Sequence, residues 1–202
     1  MKRRIVIGII VLMVALVTLS QCVWAPPIYW GEAIHSRVVD ADSGQPVADA
    51  VVVADWKLYG GGVGHGGHHR SLVAQEAVTG VHGEFTIAAW GPTRRPMFAI
   101  LDTAPWLVIF KTGYDHRFLW NEHASNAFVR RSDWNNRTIQ LKRTRRTNEA
   151  RIETLRIVLS SCALQPLMLT EILKERTLYY GLAPAFFDHV ANLLPKTQRT
   201  PQ

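Results

Sequence analysis

Three basic residues, Lys2, Arg3 and Arg4, run straight into an apolar stretch at residues 5–19, IVIGIIVLMVALVTL. A positive n-region followed by an apolar h-region is the pattern of a secretory leader. The positive flank stays on the cytoplasmic side, so the downstream chain is translocated. The body must therefore fold outside the cytoplasm. Whether the segment is removed is a separate question. A membrane crossing needs about 20 apolar residues, with ~17 the short limit. Residues 5–25 reach that length, with Thr18, Ser20 and Gln21 near the outer surface.

Leu19-Ser20-Gln21-Cys22 resembles the lipobox of bacterial lipoproteins. The resemblance implies that Cys22 is acylated and becomes the new N-terminus. Gln21 departs from it, because that position normally holds Gly, Ala or Ser. Two other outcomes stay open: an uncleaved N-terminal hydrophobic anchor helix, and ordinary cleavage after Val23-Trp24-Ala25, which Pro26 opposes. All three put the body in the bacterial cell envelope, facing the periplasm, and the first two fasten it to a membrane. Two cysteines exclude a disulfide-rich scaffold and a four-cysteine zinc site. With Cys22 lipidated, Cys162 is a lone thiol expected to be buried. With Cys22 unmodified, a Cys22–Cys162 bridge is open in an oxidising space.

The 202 residues are 48% hydrophobic and 19% charged, which excludes a wholly disordered, collagen-like or coiled-coil chain. Residues 23–32 read as a Pro- and aromatic-containing linker. Short strands come next, at 33–40, 50–56, 72–79, 85–89, 106–111 and 137–142, separated by turn signals such as Asp42-Ser43-Gly44-Gln45 and Gly80-Val81-His82-Gly83. This spacing predicts a mainly β domain over 33–143, of the β-sandwich class. Beyond Thr144 the period changes. Asn148 reads as an N-cap, and Ile152, Leu155, Leu159 and Cys162 recur at helical spacing. Pro166 and Pro184 suit helix starts, and Gly181 suits a C′ position. Residues 144–195 are thus expected to form a C-terminal α-helical segment, and 196–202 a tail.

Val38-Val39-Asp40-Ala41-Asp42-Ser43-Gly44-Gln45-Pro46-Val47-Ala48-Asp49-Ala50-Val51-Val52-Val53 resembles the opening of a carboxypeptidase regulatory-like domain, an immunoglobulin/transthyretin-like β-sandwich. Thr79-x-x-x-Gly83-x-Phe85-x-Ile87 matches that family's next hairpin, except that Gly80 replaces the usual Asp. Lys111-Thr112-Gly113-Tyr114 matches its late Gly-Tyr. The matches span roughly residues 33–142. They imply a non-catalytic accessory or binding module and say nothing of the helical tail.

Candidate chemistry centres on Gly60-Gly61-Gly62-Val63-Gly64-His65-Gly66-Gly67-His68-His69. Histidine is a common ligand of zinc, copper and nickel. His65, His68 and His69 are therefore candidate ligands of a divalent transition metal, with Asp55, Glu76 or His82 available to complete a shell. A metal-binding protein or metalloenzyme is the alternative to a binding or envelope-structural module. The segment from Gly44 to Trp56 also resembles the opening of intradiol ring-cleavage dioxygenases, with Tyr59 near an expected tyrosinate ligand. That family needs a His-x-His motif, which this chain lacks; Tyr114-Asp115-His116 is a poor substitute. Ser160-Ser161-Cys162 lacks the Gly-rich elbow of a serine nucleophile, and His189 falls on another helix.

The formal net charge is +7; without Lys2, Arg3 and Arg4, 20 basic residues face 16 acidic ones. From Arg130 to Arg156 there are nine basic residues (Arg130, Arg131, Arg137, Lys142, Arg143, Arg145, Arg146, Arg151, Arg156) and three acidic ones. In the periplasm such a stretch suits anionic lipid headgroups rather than nucleic acid. Seven tryptophans leave room for a glycan or protein partner.

Overall fold

A computed structural model describes residues 7–14, 28–60, 70–95, 99–101, 103–123, 127–161, 163 and 165–195. The candidate ligands His65, His68 and His69, and both Cys22 and Cys162, lie outside these residues. Residues 7–14 are helical (α1) and exposed. No helix among the described residues is long and apolar enough to cross a membrane.

The body is mainly β. Its strands are β1 (Ile28–Gly31), β2 (Ile34–Asp40), β3 (Val51–Gly60), β4 (Arg70–Val78), β5 (Glu84–Ile87) and β6 (Trp90–Arg94). Next come β7 (Ala99–Leu101), β8 (Trp106–Phe110), β9 (Arg117–Leu119), β10 (Val129–Arg130) and β11 (Thr138–Leu141). They form two three-stranded sheets, β10-β1-β6 and β11-β2-β5, and a five-stranded sheet β4-β3-β8-β9 in which β7 also pairs with β3. After the strands, the described residues form the helices α2 (Asn148–Ser161), α3 (Pro166–Lys174), α4 (Arg176–Tyr179) and α5 (Pro184–Leu193), with a 3-10 turn at Tyr180–Leu182 before α5.

Strand β3 explains the run Val51-Val52-Val53-Ala54. It is paired on both sides, with Val51 opposite Val78 on β4 and Phe110 on β8. Both of its faces are covered, so consecutive rather than alternate residues are apolar. The period of two then sorts them. Val52, Ala54, Trp56 and Leu58 join a core that also holds Ile34 and Val38 of β2, Phe85 and Ile87 of β5, and Ile139 and Leu141 of β11. Val51 and Val53 point the other way, into a second core filled by Ile152, Leu155, Met168, Ile172, Phe187 and Val190 of the helices. Strand β8 divides likewise, Leu107 and Ile109 to the first core and Val108 and Phe110 to the second. The helical segment thus closes the outer face of the five-stranded sheet.

Local rules account for most element ends. Gly44 takes φ 69° in the β2–β3 turn, and Gly83 takes φ 79° in the turn that carries the chain from β4 in one sheet to β5 in another, where a hairpin was expected. A side chain at Gly83 would meet the Val38 carbonyl at 2.3 Å, so both backbone angle and contact demand glycine. Pro166 and Pro184 each occupy the first turn of their helix, where the missing N–H costs nothing.

Three further expectations differ from the observed fold. Ile28–Gly31, read as linker, is a strand with Tyr29 buried, because β6 and β10 supply partners from far along the chain. Asn148 is the first helical residue; Thr147 caps the helix, its Oγ1 accepting from the Ala150 N–H at 3.4 Å. The helix that starts at Pro166 does not run on to Gly181 but turns at Glu175, and Gly181 lies inside the 3-10 turn rather than at the expected C′ position. The break leaves the Glu175 carboxylate aimed inward at the buried Arg151.

That pair locks the helices to the sheet. Arg151 donates through Nε to Glu175 Oε2 at 2.8 Å, through its second terminal nitrogen to Oε1, and through the other to the Tyr114 carbonyl at 2.7 Å. Glu171 accepts from the Thr112 N–H at 2.9 Å and Glu175 from the Gly113 N–H at 3.3 Å. The Tyr114 hydroxyl donates to the buried Asp40 at 3.0 Å. The Lys111-Thr112-Gly113-Tyr114 motif is therefore where the β domain and its helical layer meet.

Candidate functional site

The connection from β9 to β11 carries the best-built surface of the described body. Asn121, buried, is its pin. Its Nδ2 donates to the Ala104 carbonyl at 3.2 Å and the Arg131 carbonyl at 2.8 Å, and its Oδ1 accepts from the Asp133 N–H at 2.9 Å. Asp133 in turn accepts from the Glu122 N–H at 2.9 Å. Trp134 donates its indole N–H to the Trp120 carbonyl at 3.0 Å. Ser36 on β2 donates to the Trp134 carbonyl, and the His35 N–H donates to Asn135 Oδ1 at 2.8 Å. Asn136 is held at φ 56°, an angle asparagine tolerates better than most residues.

These bonds hold Glu122 and His123 outward and create two adjoining clefts. One, of about 560 Å³, is lined by Glu122, His123, Asp133, Trp134, Arg137 and Thr138. The other, of about 600 Å³, shares His123 and Asp133 and adds Phe128, Val129 and Arg131. Carboxylates and a guanidinium around an indole face suit a polar ligand bound by hydrogen bonds with one stacking contact. Trp120, 54% exposed, lies beside this surface with its ring centroid 6.3 Å from that of Trp106.

Sequence reasoning did not single out this loop. Its only signal is the recurrence of Asn, Asp and Trp in Trp120-Asn121-Glu122 and Asp133-Trp134-Asn135-Asn136, which marks an ordered turn as readily as a site.

The residues proposed to complete a metal shell are tied to other tasks. Asp55 Oδ2 accepts from the Ala163 N–H at 3.1 Å. Glu76 accepts from the Leu167 N–H at 2.9 and 3.0 Å and from the Met168 N–H at 3.3 Å, so it caps α3 from a neighbouring strand. Burial raises the Glu76 pKa, and these two N–H groups oppose the rise. Lys57 donates to the Ser161 carbonyl at 2.5 Å from the same face of β3. His82 lies in the β4–β5 turn, where its carbonyl accepts from Arg37 Nε at 2.8 Å. Among the described residues no three His, Cys, Asp or Glu side chains gather as a metal shell.

Tyr59 and the Tyr114-Asp115-His116 segment do not converge. Val51 opposes Phe110, so eight residues of β3 separate Tyr59 from that end, roughly 25 Å. The hydroxyls of Ser160 and Ser161 both bond the Ile157 carbonyl within their own helix.

Seven members of the basic stretch are engaged with neighbours, Arg156 through its guanidinium over the Phe186 ring at 5.6 Å. Arg130 is buried and donates to the Ala104 carbonyl. Arg131 pairs with Glu32, Arg143 with Asp40, Arg145 with Asp42, Arg146 with Asp115 and Arg151 with Glu175. Arg143 and Arg145 still leave much of their side chains exposed.

No known family profile matches the chain, and no curated protein sequence matches it. Among solved structures, a 3-chlorocatechol 1,2-dioxygenase from Rhodococcus opacus is similar over 57% of this chain, with 14% identity and a TM-score of 0.32. The chain spans 61% of that enzyme's length. A shaft pilin C-terminal domain from Lactobacillus rhamnosus GG is similar over 59% of this chain and all of its own, with 12% identity and a TM-score of 0.28. Both are sheet-rich folds. Likeness this low carries no argument about chemistry.

Proposed function

We propose that this chain is a membrane-tethered periplasmic binding or envelope-structural module, without catalytic activity of its own, built on a transthyretin-like β-sandwich with a helical cover. The observation that carries the reading is the N-terminal order: Lys2-Arg3-Arg4, then an apolar run, then Cys22, with the first strand among the described residues beginning at Ile28. Only a few residues separate a membrane-seeking segment from a packed body. The arrangement of the body supports a recognition role. Its buried charges serve the fold, whereas Glu122, His123 and Trp120 are presented outward on a loop fixed from below. A protein or glycan partner would dock there.

The tether is tested by fractionating cells that produce the full chain or Cys22→Ser. Acylation predicts that Cys22→Ser moves the protein from membrane to soluble periplasm, and that the wild-type N-terminus has the mass of a lipidated cysteine. Retention of both forms with an unshifted mass indicates an uncleaved anchor. Soluble protein in the cytoplasm with the leader intact overturns the proposal.

A further inference from the structure

The small β10-β1-β6 sheet has two unlike faces. Tyr29 and Arg130 point inward and are buried. Ile28 and Trp30 point outward from β1, 37% and 38% exposed. Trp30 is the register partner of Val129, which is 41% exposed, so the two side chains share the outward face. Ile28 lies opposite Arg94, also exposed. Gly91, at φ 116°, lets the Trp30 ring lie against the backbone of β6; a side chain there would meet Trp30 Cδ1 at 2.8 Å. The result is a contiguous apolar and aromatic face with arginine at its edge.

We propose that this face rests in the interfacial region of the bilayer that holds the N-terminal segment. The inference deepens the tether reading above and rests on it. Three observations choose this occupant. Leu19, the end of the apolar run, and Ile28, the first residue of the face, are nine residues apart, a reach of at most about 30 Å. The face thus begins within that reach of where the chain would leave the membrane. Its composition, tryptophan and aliphatic side chains at the centre, is that favoured at the headgroup level. Arg94, exposed opposite Ile28, supplies a positive edge that suits anionic lipid. Docking would fix the orientation of the body and bring the cleft lined by Phe128, Val129 and Arg131 to the membrane surface, leaving the neighbouring cleft at Glu122 and Trp134 beside it.

The test uses the full chain reconstituted into vesicles of phosphatidylcholine and phosphatidylglycerol, either plain or brominated near the headgroup end of the acyl chains. Flotation reports the tether. Fluorescence quenching reports the face through two probes: the emission lost on Trp30→Phe, and the emission gained on Val129→Trp, its exposed register partner. Both contributions should fall by roughly half or more in brominated vesicles if the rings lie at the interface. Val81→Trp, in the β4–β5 turn at a site 76% exposed, should stay bright. A chain that fails to float removes the tether reading and this proposal with it. A chain that floats while both probes stay bright overturns this proposal alone, and points to a protein partner or open solvent at the face. Equal quenching at Val81→Trp also overturns it, because the contact would not belong to one face.

Discussion

Asp40 and Glu76 are both carboxylates held by backbone N–H groups, yet they titrate in opposite senses. Asp40 accepts from the Ser43 N–H at 2.9 Å, the Asp42 N–H at 3.0 Å, the Ser43 hydroxyl and Tyr114, and pairs with Arg143. The Ser43 N–H contributes most, and with the Tyr114 and Ser43 hydroxyls and the Asp42 N–H it holds the carboxyl well below the usual range against the opposing cost of burial. Its contribution to stability is therefore full above the unfolded pKa near 3.9 and is lost as pH falls toward the depressed native value. Asp40→Asn should lower the urea midpoint by the same amount at pH 7 and pH 5, with the gap to wild type closing below about pH 4. A gap that persists unchanged in strong acid would show that shape rather than charge matters there. For Glu76 burial wins. Its contribution is full below about pH 4.3 and is lost as pH rises through the raised native value. Glu76→Gln, which keeps an acceptor and removes the charge, should change stability little at pH 7, whereas Glu76→Ala should cost about 1 kcal/mol by removing a helix cap. Equal losses in the two variants, measured by urea unfolding, would show that the charge is needed. His68 and His69 test the metal alternative directly. Metal analysis of purified wild type and of His68→Ala with His69→Ala should show the same negligible content if the loop binds none, and stoichiometric metal lost in the double variant if it does.

At the scale of elements, the decisive contact is the joint between the β8–β9 turn and the helices. Arg151 and Glu175 come from α2 and the α3–α4 turn, and both are essentially inaccessible to solvent. Removing one partner of such a pair strands a buried charge, typically at a cost of about 3–5 kcal/mol. Arg151→Met should be destabilised by that order. Arg151→Met with Glu175→Leu should recover much of the loss, although the Gly113 N–H then loses its acceptor. A double variant as unstable as the single one would mean that the pair's bonds to the backbone of Gly113 and Tyr114, rather than its charge balance, carry the effect. The same scale shows how much was legible beforehand. The turns at Asp42–Gln45 and Gly80–Gly83 and the starts at Pro166 and Pro184 follow from local chemistry; the hairpin expected across Gly80–Gly83 is instead a crossing between two sheets, because β4 pairs with β3 and β5 with β2. Strands β1, β6, β7, β9 and β10 are short, and one includes Gly91 and Pro92; their partners across the sheet define them, so no local pattern announces them. The β9–β11 loop was missed for a related reason. Asn121 acts as a pin only because Ala104, Arg131 and Asp133 are brought to it from three places in the chain.

For the whole molecule, the helical segment is part of the fold rather than an appendage. Val51, Val53, Val108 and Phe110 are buried beneath it. A chain truncated after Arg143 would expose them as a contiguous apolar sheet face, together with β-strands prone to self-association. Such a fragment should aggregate or fail to unfold cooperatively, as read by size-exclusion chromatography and near-UV circular dichroism. A monomeric, cooperatively folded fragment would show instead that the β domain is self-sufficient.

Read alone, the sequence established the mainly β body, the later helical segment and the expectation of export, because each depends on local properties: a charge beside an apolar run, glycine and proline at turns, and the switch from a period of two to one near four. Tertiary structure alone decided that β3 and β8 serve two cores at once, that Arg130 and Arg151 are interior residues rather than parts of a basic surface, and that Trp30 faces outward while Trp56 is buried. Arginine and tryptophan carry both apolar and polar surface, so neither composition nor spacing sets their burial. That depends on which distant backbone groups are within reach.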